Sequence, residues 1–190
     1  MSAAPFGVVG STIRTRSGHY LDLLNPRPEQ IDIKDIAGAL SKICRFGGQI
    51  ERFYSVAQHS LHCAQVAELW YPGRLDVRRA VLMHDAAEAY IGDIVKPLKC
   101  LLDKVEMIES LIEGAIATRF GIDFTSSFDE VRRIDQGMLI AERDALFSRG
   151  DGQKWTGEDL ARIPDLHIES LEPHNAEIAF LYAADILDIR

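Results

Sequence analysis

The chain has 190 residues, 47% hydrophobic and 26% charged, with a formal net charge of −8. That length suits one domain with a sizeable core, and no apolar run reaches the roughly 18 residues of a membrane span. The negative charge argues against a nucleic-acid-binding surface and against anionic membranes. The three cysteines, Cys44, Cys63 and Cys100, are too few and too scattered for a disulfide framework or a Cys-rich zinc site.

Met1 to Gly10 has no basic stretch ahead of an apolar one, so no secretory leader is expected and a reducing cytoplasm is the expected setting. Thr12 to Asp22, with Ser17-Gly18 at its centre, predicts a short hairpin. Pro26 and Pro28 then break the chain. Ile33, Ile36, Ala37, Leu40, Ile43 and Cys44 recur at helical spacing, which predicts a helix from Asp32 closed by Gly47-Gly48. Ser55 and Gln58 form a capping box for a second helix, reaching about Trp70 before Pro72-Gly73. A third is expected from Asp76 to Tyr90, stopping near Gly92, after which Pro97 interrupts the chain. A fourth spans about Lys104 to Phe120, with Gly121 as its stop. Ser127 and Glu130 give a second capping box, for a fifth helix reaching about Phe147. Gly150 to Gly157 is an expected polar loop, and a last helix runs from Pro173 to about Leu187. The expected fold is a single all-α domain over residues 1–190, a helical bundle with a short N-terminal hairpin.

The chemistry gathers around His84-Asp85. A lone His-Asp pair is weak, but His59 lies on the preceding helix and Asp135 on a later one. Four such residues from three helices can converge in a bundle core. Two imidazoles and two carboxylates suit one divalent transition metal, Zn, Mn, Co or Fe. Glu88 stands four residues after His84 and three after Asp85, so all three share one helix face, an apolar one bearing Ala80, Val81, Ala87 and Ile91. Ionisable groups buried together are costly unless something balances them. Glu88 is therefore a candidate to orient or deprotonate an attacking water, and Asp93, just past the Gly92 stop, is a second catalytic candidate. Asp135 is flanked by Ile134, Met138 and Leu139. His62, three residues from His59, is taken as structural, as are His19, His167 and His174, which lack partners. Trp70 and Tyr71, at a helix end, suit either an interface or the core.

The order His59, His84-Asp85, Asp135 resembles the H…HD…D signature of HD-domain phosphohydrolases. Tyr54 to Ser60, His84 to Glu88, and Gly92 to Lys99 are further similar to the branch of bacterial 5′-deoxynucleotidases and phage deoxynucleoside triphosphohydrolases. The similarity covers about Asp32 to Phe147. It implies an HD-type bundle, a homodimer, and Glu88 and Asp93 as catalytic carboxylates. Arg45 and Phe46 stand where that branch has an Arg-aromatic pair that contacts substrate. The usual aromatic is Trp, and Phe46 suits base or sugar recognition and core packing equally well. Arg45 would fork onto phosphate, and Lys96 and Lys99 would add positive charge or belong to a solvated loop. The expected reaction is metal-dependent hydrolysis of a deoxynucleoside monophosphate. Release of triphosphate from a triphosphate substrate is the alternative, and a nucleotide-binding module without turnover is a further one. Two-metal HD enzymes draw extra His from between the HD pair and the last Asp. The interval from Ala86 to Ile134 has none, so a single metal is expected.

Overall fold

The computed structural model describes residues 10–147, Trp155, Ile163 and residues 166–190. Apart from Trp155, the expected loop from Gly150 to Gly157 lies outside the described residues, as does the stretch before Gly10. The described residues are mostly helical, with one two-stranded sheet among them.

Strands β1 (Thr12–Arg14) and β2 (Tyr20–Asp22) pair antiparallel, with Ile13 opposite Leu21. The connecting turn passes through Gly18 at φ 94°, a conformation that a side chain would strain. The Ser17 backbone N–H donates to Asp35 Oδ1 at 2.7 Å and its hydroxyl to Oδ2 at 2.5 Å. The hairpin is thereby stitched to the first turn of α1 (Ile33–Leu40).

Helix α1 is capped by Asp32, whose carboxylate accepts from the Lys34 N–H at 2.8 Å. It ends at Leu40, well short of the expected Gly47-Gly48. The residues that follow find other partners for their backbone. Arg45 N–H donates to Tyr54 O and Val56 N–H to Ile43 O, forming an antiparallel bridge between Cys44 and Ser55. A short 3₁₀ turn, Arg45–Gly48, then reverses the chain through Phe46 at φ 57° and Gly47 at φ 60°.

Helix α2 (Val56–Trp70) starts at the expected capping box. Ser55 Oγ accepts from Gln58 N–H, and Gln58 Oε1 accepts from Ser55 N–H. It packs against α1, α3 (Leu75–Met83), α7 (Phe128–Leu146) and α8 (Pro173–Ile186). Val56, Ala57 and Ala64 join one core cluster with Ile36, Leu82, Ile112, Ile116 and Phe180. Cys63, Val66 and Ala67 join another with Val77, Val81, Ile134, Met138 and Leu146. A helix buried on opposite sides needs no polar stripe, so His59 and Ser60 can sit fully buried between the clusters.

The expected third helix is broken. Beyond Met83 the bonds run Ala86 N–H to Met83 O, Glu88 N–H to Asp85 O and Tyr90 N–H to Ala87 O. This three-residue spacing is that of a 3₁₀ turn, in which side chains three apart eclipse. Helix α4 (Glu88–Ile91) closes at Gly92, at φ 83° and ψ 162°, which is glycine-only territory. Pro97 does not interrupt a helix but sits in the first turn of α5 (Lys96–Lys99). Helix α6 (Val105–Phe120) ends in left-handed Gly121, as expected. Ser127 precedes α7 without capping it. At ψ 14° its backbone is not in the extended cap conformation, and its buried hydroxyl has no hydrogen-bond partner among the described residues. Arg79 ties the helix ends together, donating to Phe120 O at 2.6 Å and Leu187 O at 3.1 Å. Among the described residues no helix is long and apolar enough to cross a membrane.

Candidate functional site

The residues singled out by the sequence meet at one place. His59 comes from the first turn of α2, His84 and Asp85 from the 3₁₀ turn after α3, and Asp135 from the second turn of α7. His59 Nε2 lies 3.2 Å from His84 Nε2, 3.5 Å from Asp85 Oδ2 and 3.2 Å from Asp135 Oδ1. His84 Nε2 lies 3.2 Å from Asp85 Oδ2 and 3.8 Å from Asp135 Oδ1.

The far nitrogens decide the tautomers. His84 Nδ1 is 2.7 Å from Val81 O, and a carbonyl only accepts, so Nδ1 carries the proton. His59 Nδ1 is 2.6 Å from Glu142 Oε1. Burial opposes the charge on Glu142, but His59 and Arg45 overcome it and bring the carboxyl down to about 2. Glu142 is thus ionised, and Nδ1–H donates to it. When both imidazoles are neutral, two Nε2 lone pairs face each other at 3.2 Å. That contact is repulsive unless a proton or a cation lies between them. Asp85 Oδ2, also buried, has no hydrogen-bond partner among the described residues. In the metal-free chain both imidazoles are pushed above their ordinary range, burial opposing and neighbouring carboxylates favouring the charge. Burial works against Asp135 as well, yet hydrogen bonds from the protonated His59 and His84 hold its carboxyl well below the usual range.

Cys63, one turn past His59, places Sγ 3.5 Å from His59 Nε2. His59, Cys63 and His84 offer donor atoms that all lie within 4.8 Å of one another, and this group could hold a metal ion. Burial pushes the Cys63 thiol up to about 11.

Glu88 follows Asp85 by one 3₁₀ turn, and its buried Oε2 has no hydrogen-bond partner among the described residues. Burial, then Asp85 and Asp93, push its carboxyl up to about 10. The Gly92 reversal brings Asp93 back against the Phe46 backbone amide and within electrostatic reach of Arg45. Arg45 is buried beside the cluster, with Nη2 3.0 Å from Glu142 Oε2 and Nη1 3.7 Å from Asp85 Oδ2. It lies in the 3₁₀ turn, not at a helix C-terminus as the sequence pattern had placed it. The Phe46 ring packs edge-on against Phe147 at 5.3 Å, and the Arg45 guanidinium stands 5.4 Å from its centre. Lys99 is paired with Glu109 of α6. Lys96 stands exposed on α5, and no ion pair joins it to these residues among the described ones.

His62 is turned away, its Nδ1 2.7 Å from the Tyr54 hydroxyl. Trp70 packs against the second core cluster, under the Arg133 guanidinium at 4.9 Å. Sequence reasoning missed Glu142. Its signal was present: it follows Asp135 by seven residues, two helical turns, and so shares the inward face of α7.

The fold and site together define a helical protein with a buried histidine–carboxylate centre. No family model matches the chain. It is 40% identical over 147 residues to the uncharacterized protein YfdR of Escherichia coli (strain K12), covering 76% of this chain and 77% of that one. It is 34% identical over 178 residues to an uncharacterized protein of Rhodobacter capsulatus, covering 88% and 90%. The chain belongs to the family of these two proteins.

Proposed function

We propose that the protein is an HD-type, metal-dependent phosphohydrolase that removes the 5′-phosphate from deoxynucleoside monophosphates. The observation that carries this reading is the convergence of His59 Nε2, His84 Nε2, Asp85 Oδ2 and Asp135 Oδ1, with both Nδ1 protons engaged elsewhere. Metal bonds of about 2.0–2.2 Å to nitrogen and oxygen separate neighbouring donors by roughly 3.0–3.5 Å, close to the 3.2–3.8 Å found here. The four residues would hold one divalent transition metal, Zn, Mn, Co or Fe. Cys63 lies beside the His59 ring, 3.5 Å from Nε2 and 3.9 Å from Nδ1, and packs there instead of completing the set.

When bound, such a metal supplies Lewis acidity to a phosphoryl oxygen and lowers the pKa of water. The remaining work falls to the chain. Glu88, one 3₁₀ turn past Asp85, has a buried oxygen with no partner among the described residues. It would orient the attacking water and, once a bound cation favours its ionised form, accept its proton. Asp93 gives a proton to the leaving oxygen. Arg45 supplies the local positive charge that a phosphate needs in a chain of net charge −8. The Phe46 ring, committed to Phe147, keeps the guanidinium in place, while Lys96 meets the phosphate only as a mobile surface charge.

The test is a product assay on purified protein with deoxynucleoside mono- and triphosphates, each with Zn²⁺, Mn²⁺, Co²⁺ and Mg²⁺. Inorganic phosphate from monophosphates is expected. Intact triphosphate as the product would replace the substrate assignment. Binding without turnover under every metal would overturn the enzymatic reading.

A further inference from the structure

Glu142 belongs neither to the proposed ligand set nor to the proposed catalytic pair, yet its side chain is fully buried. It is also an acceptor shared by two groups of the centre. Oε1 takes the His59 Nδ1–H at 2.6 Å, and Oε2 takes an Arg45 Nη2–H at 3.0 Å. The Tyr54 hydroxyl stands within electrostatic reach of it and hydrogen-bonds to His62 Nδ1 at 2.7 Å.

Stability alone does not account for this arrangement. A buried ion pair recovers its desolvation cost only with excellent geometry, and apolar residues of similar volume often serve as well. What the carboxylate adds is direction. Asp135 and Glu142 lie two turns apart on one face of α7, and both address the same imidazole. Asp135 Oδ1 meets Nε2 at 3.2 Å, and Glu142 Oε1 meets Nδ1 at 2.6 Å. One rigid helix therefore grips the His59 ring at both nitrogens. The second oxygen of Glu142 holds Arg45, so the ring and the guanidinium are set relative to each other by one group.

We propose that Glu142 is a positioning residue: it fixes the His59 tautomer that turns Nε2 to the donor cluster, and it anchors Arg45 beside that cluster. This rests on the metal-centre reading above. A carboxylate behind a ligating histidine orients the ring and raises its basicity, and losing such a partner typically weakens metal binding by roughly 10–100-fold.

The experiment is calorimetric titration of the metal-free full chain with Zn²⁺ alone. Wild type is compared with Glu142→Gln and with the double variant Arg45→Met/Glu142→Gln, in which no buried charge is stranded if the single variant folds poorly. Circular dichroism melting of each metal-free protein reports its folding separately. Both variants are expected to bind Zn²⁺ roughly 10–100-fold more weakly than wild type, and Glu142→Asp is expected to recover part of the loss. Zinc affinity within threefold of wild type in the folded variants overturns the positioning role and leaves the metal-centre reading standing. No zinc binding by wild type itself overturns both.

Discussion

Helix α6 and the segment from His84 to Asp93 make opposite use of the chain. In α6, Ile112, Ala115, Ile116 and Phe120 recur at helical spacing, bury against the first core cluster and end at a left-handed glycine. Nothing in it departs from the ordinary terms of helix formation. His84 to Asp93 carries the same kind of apolar residues, Ala86, Ala87 and Tyr90, which are buried in the same cluster. Yet the backbone there tightens to three-residue hydrogen bonds, restarts for one turn as α4, and reverses at Gly92. The chain gives up regular bonding where two carboxyl side chains, Asp85 and Glu88, must face one point. A 3.6-residue turn would fan Asp85 and Glu88 apart by about 60°, whereas a 3₁₀ turn aligns them.

The largest contrast is expected in turnover. Glu88→Gln should keep its metal while kcat falls 10²- to 10⁴-fold, the usual scale for losing a general acid or base. Metal lost in proportion to activity would show that Glu88 only supports a ligand. The same variant has a signature in the metal-free protein. The folded chain holds the Glu88 proton up to about 10, whereas the unfolded chain releases it near 4.5. Stability of the metal-free wild type should therefore fall as pH rises between those values, because the folded state binds the extra proton. Glu88→Gln should flatten that slope in pH-dependent urea melts. A slope that is unchanged would mean that Glu88 is ionised in the folded state.

In α6 the expected outcome is reversed. Ile116→Ala should cost about 2–5 kcal/mol of stability, the range for truncating a buried aliphatic, with metal stoichiometry unchanged in the folded fraction. Loss of metal at full folding would break the separation of the two regions. A smaller effect is expected at the reversal. No atom lies within 4 Å of a Cβ added at Gly92, so Gly92→Ala meets only backbone strain, about 1–3 kcal/mol. Because Asp93 moves with it, kcat should fall by more than the loss of folded protein explains.

The smallest effect compares two serines. Ser55→Ala removes a real cap and should cost about 1 kcal/mol. Ser127→Ala removes a buried hydroxyl that bonds to nothing described, and it should leave the melting temperature unchanged or raise it. Equal losses at the two positions would mean that Ser127 does cap α7.

Much of this was legible in the sequence, for physical reasons. The α2 cap, the Gly121 stop and the Pro173 start are local, and local chemistry decided them. The convergence of His59 and Asp135 was legible because each sits on a helix whose apolar spacing fixes its inward face, whereas the turn that carries His84 and Asp85 was not. The misreadings arose where tertiary partners competed with periodicity. Ile43 and Cys44 fit a helix but pair with the strand-like stretch before α2. Ser127 and Glu130 fit a capping box but lack the backbone conformation for one. Glu142 was on the right face, but its significance depends on His59 and Arg45, 83 and 97 residues away in sequence.

The central claim is that His59, His84, Asp85 and Asp135 form one metal centre. The most direct test is elemental analysis of wild type and His84→Ala, purified side by side and exchanged into metal-free buffer after loading. About one transition-metal ion per chain is expected in wild type and essentially none in a folded His84→Ala. Equal metal content in the two proteins would contradict it.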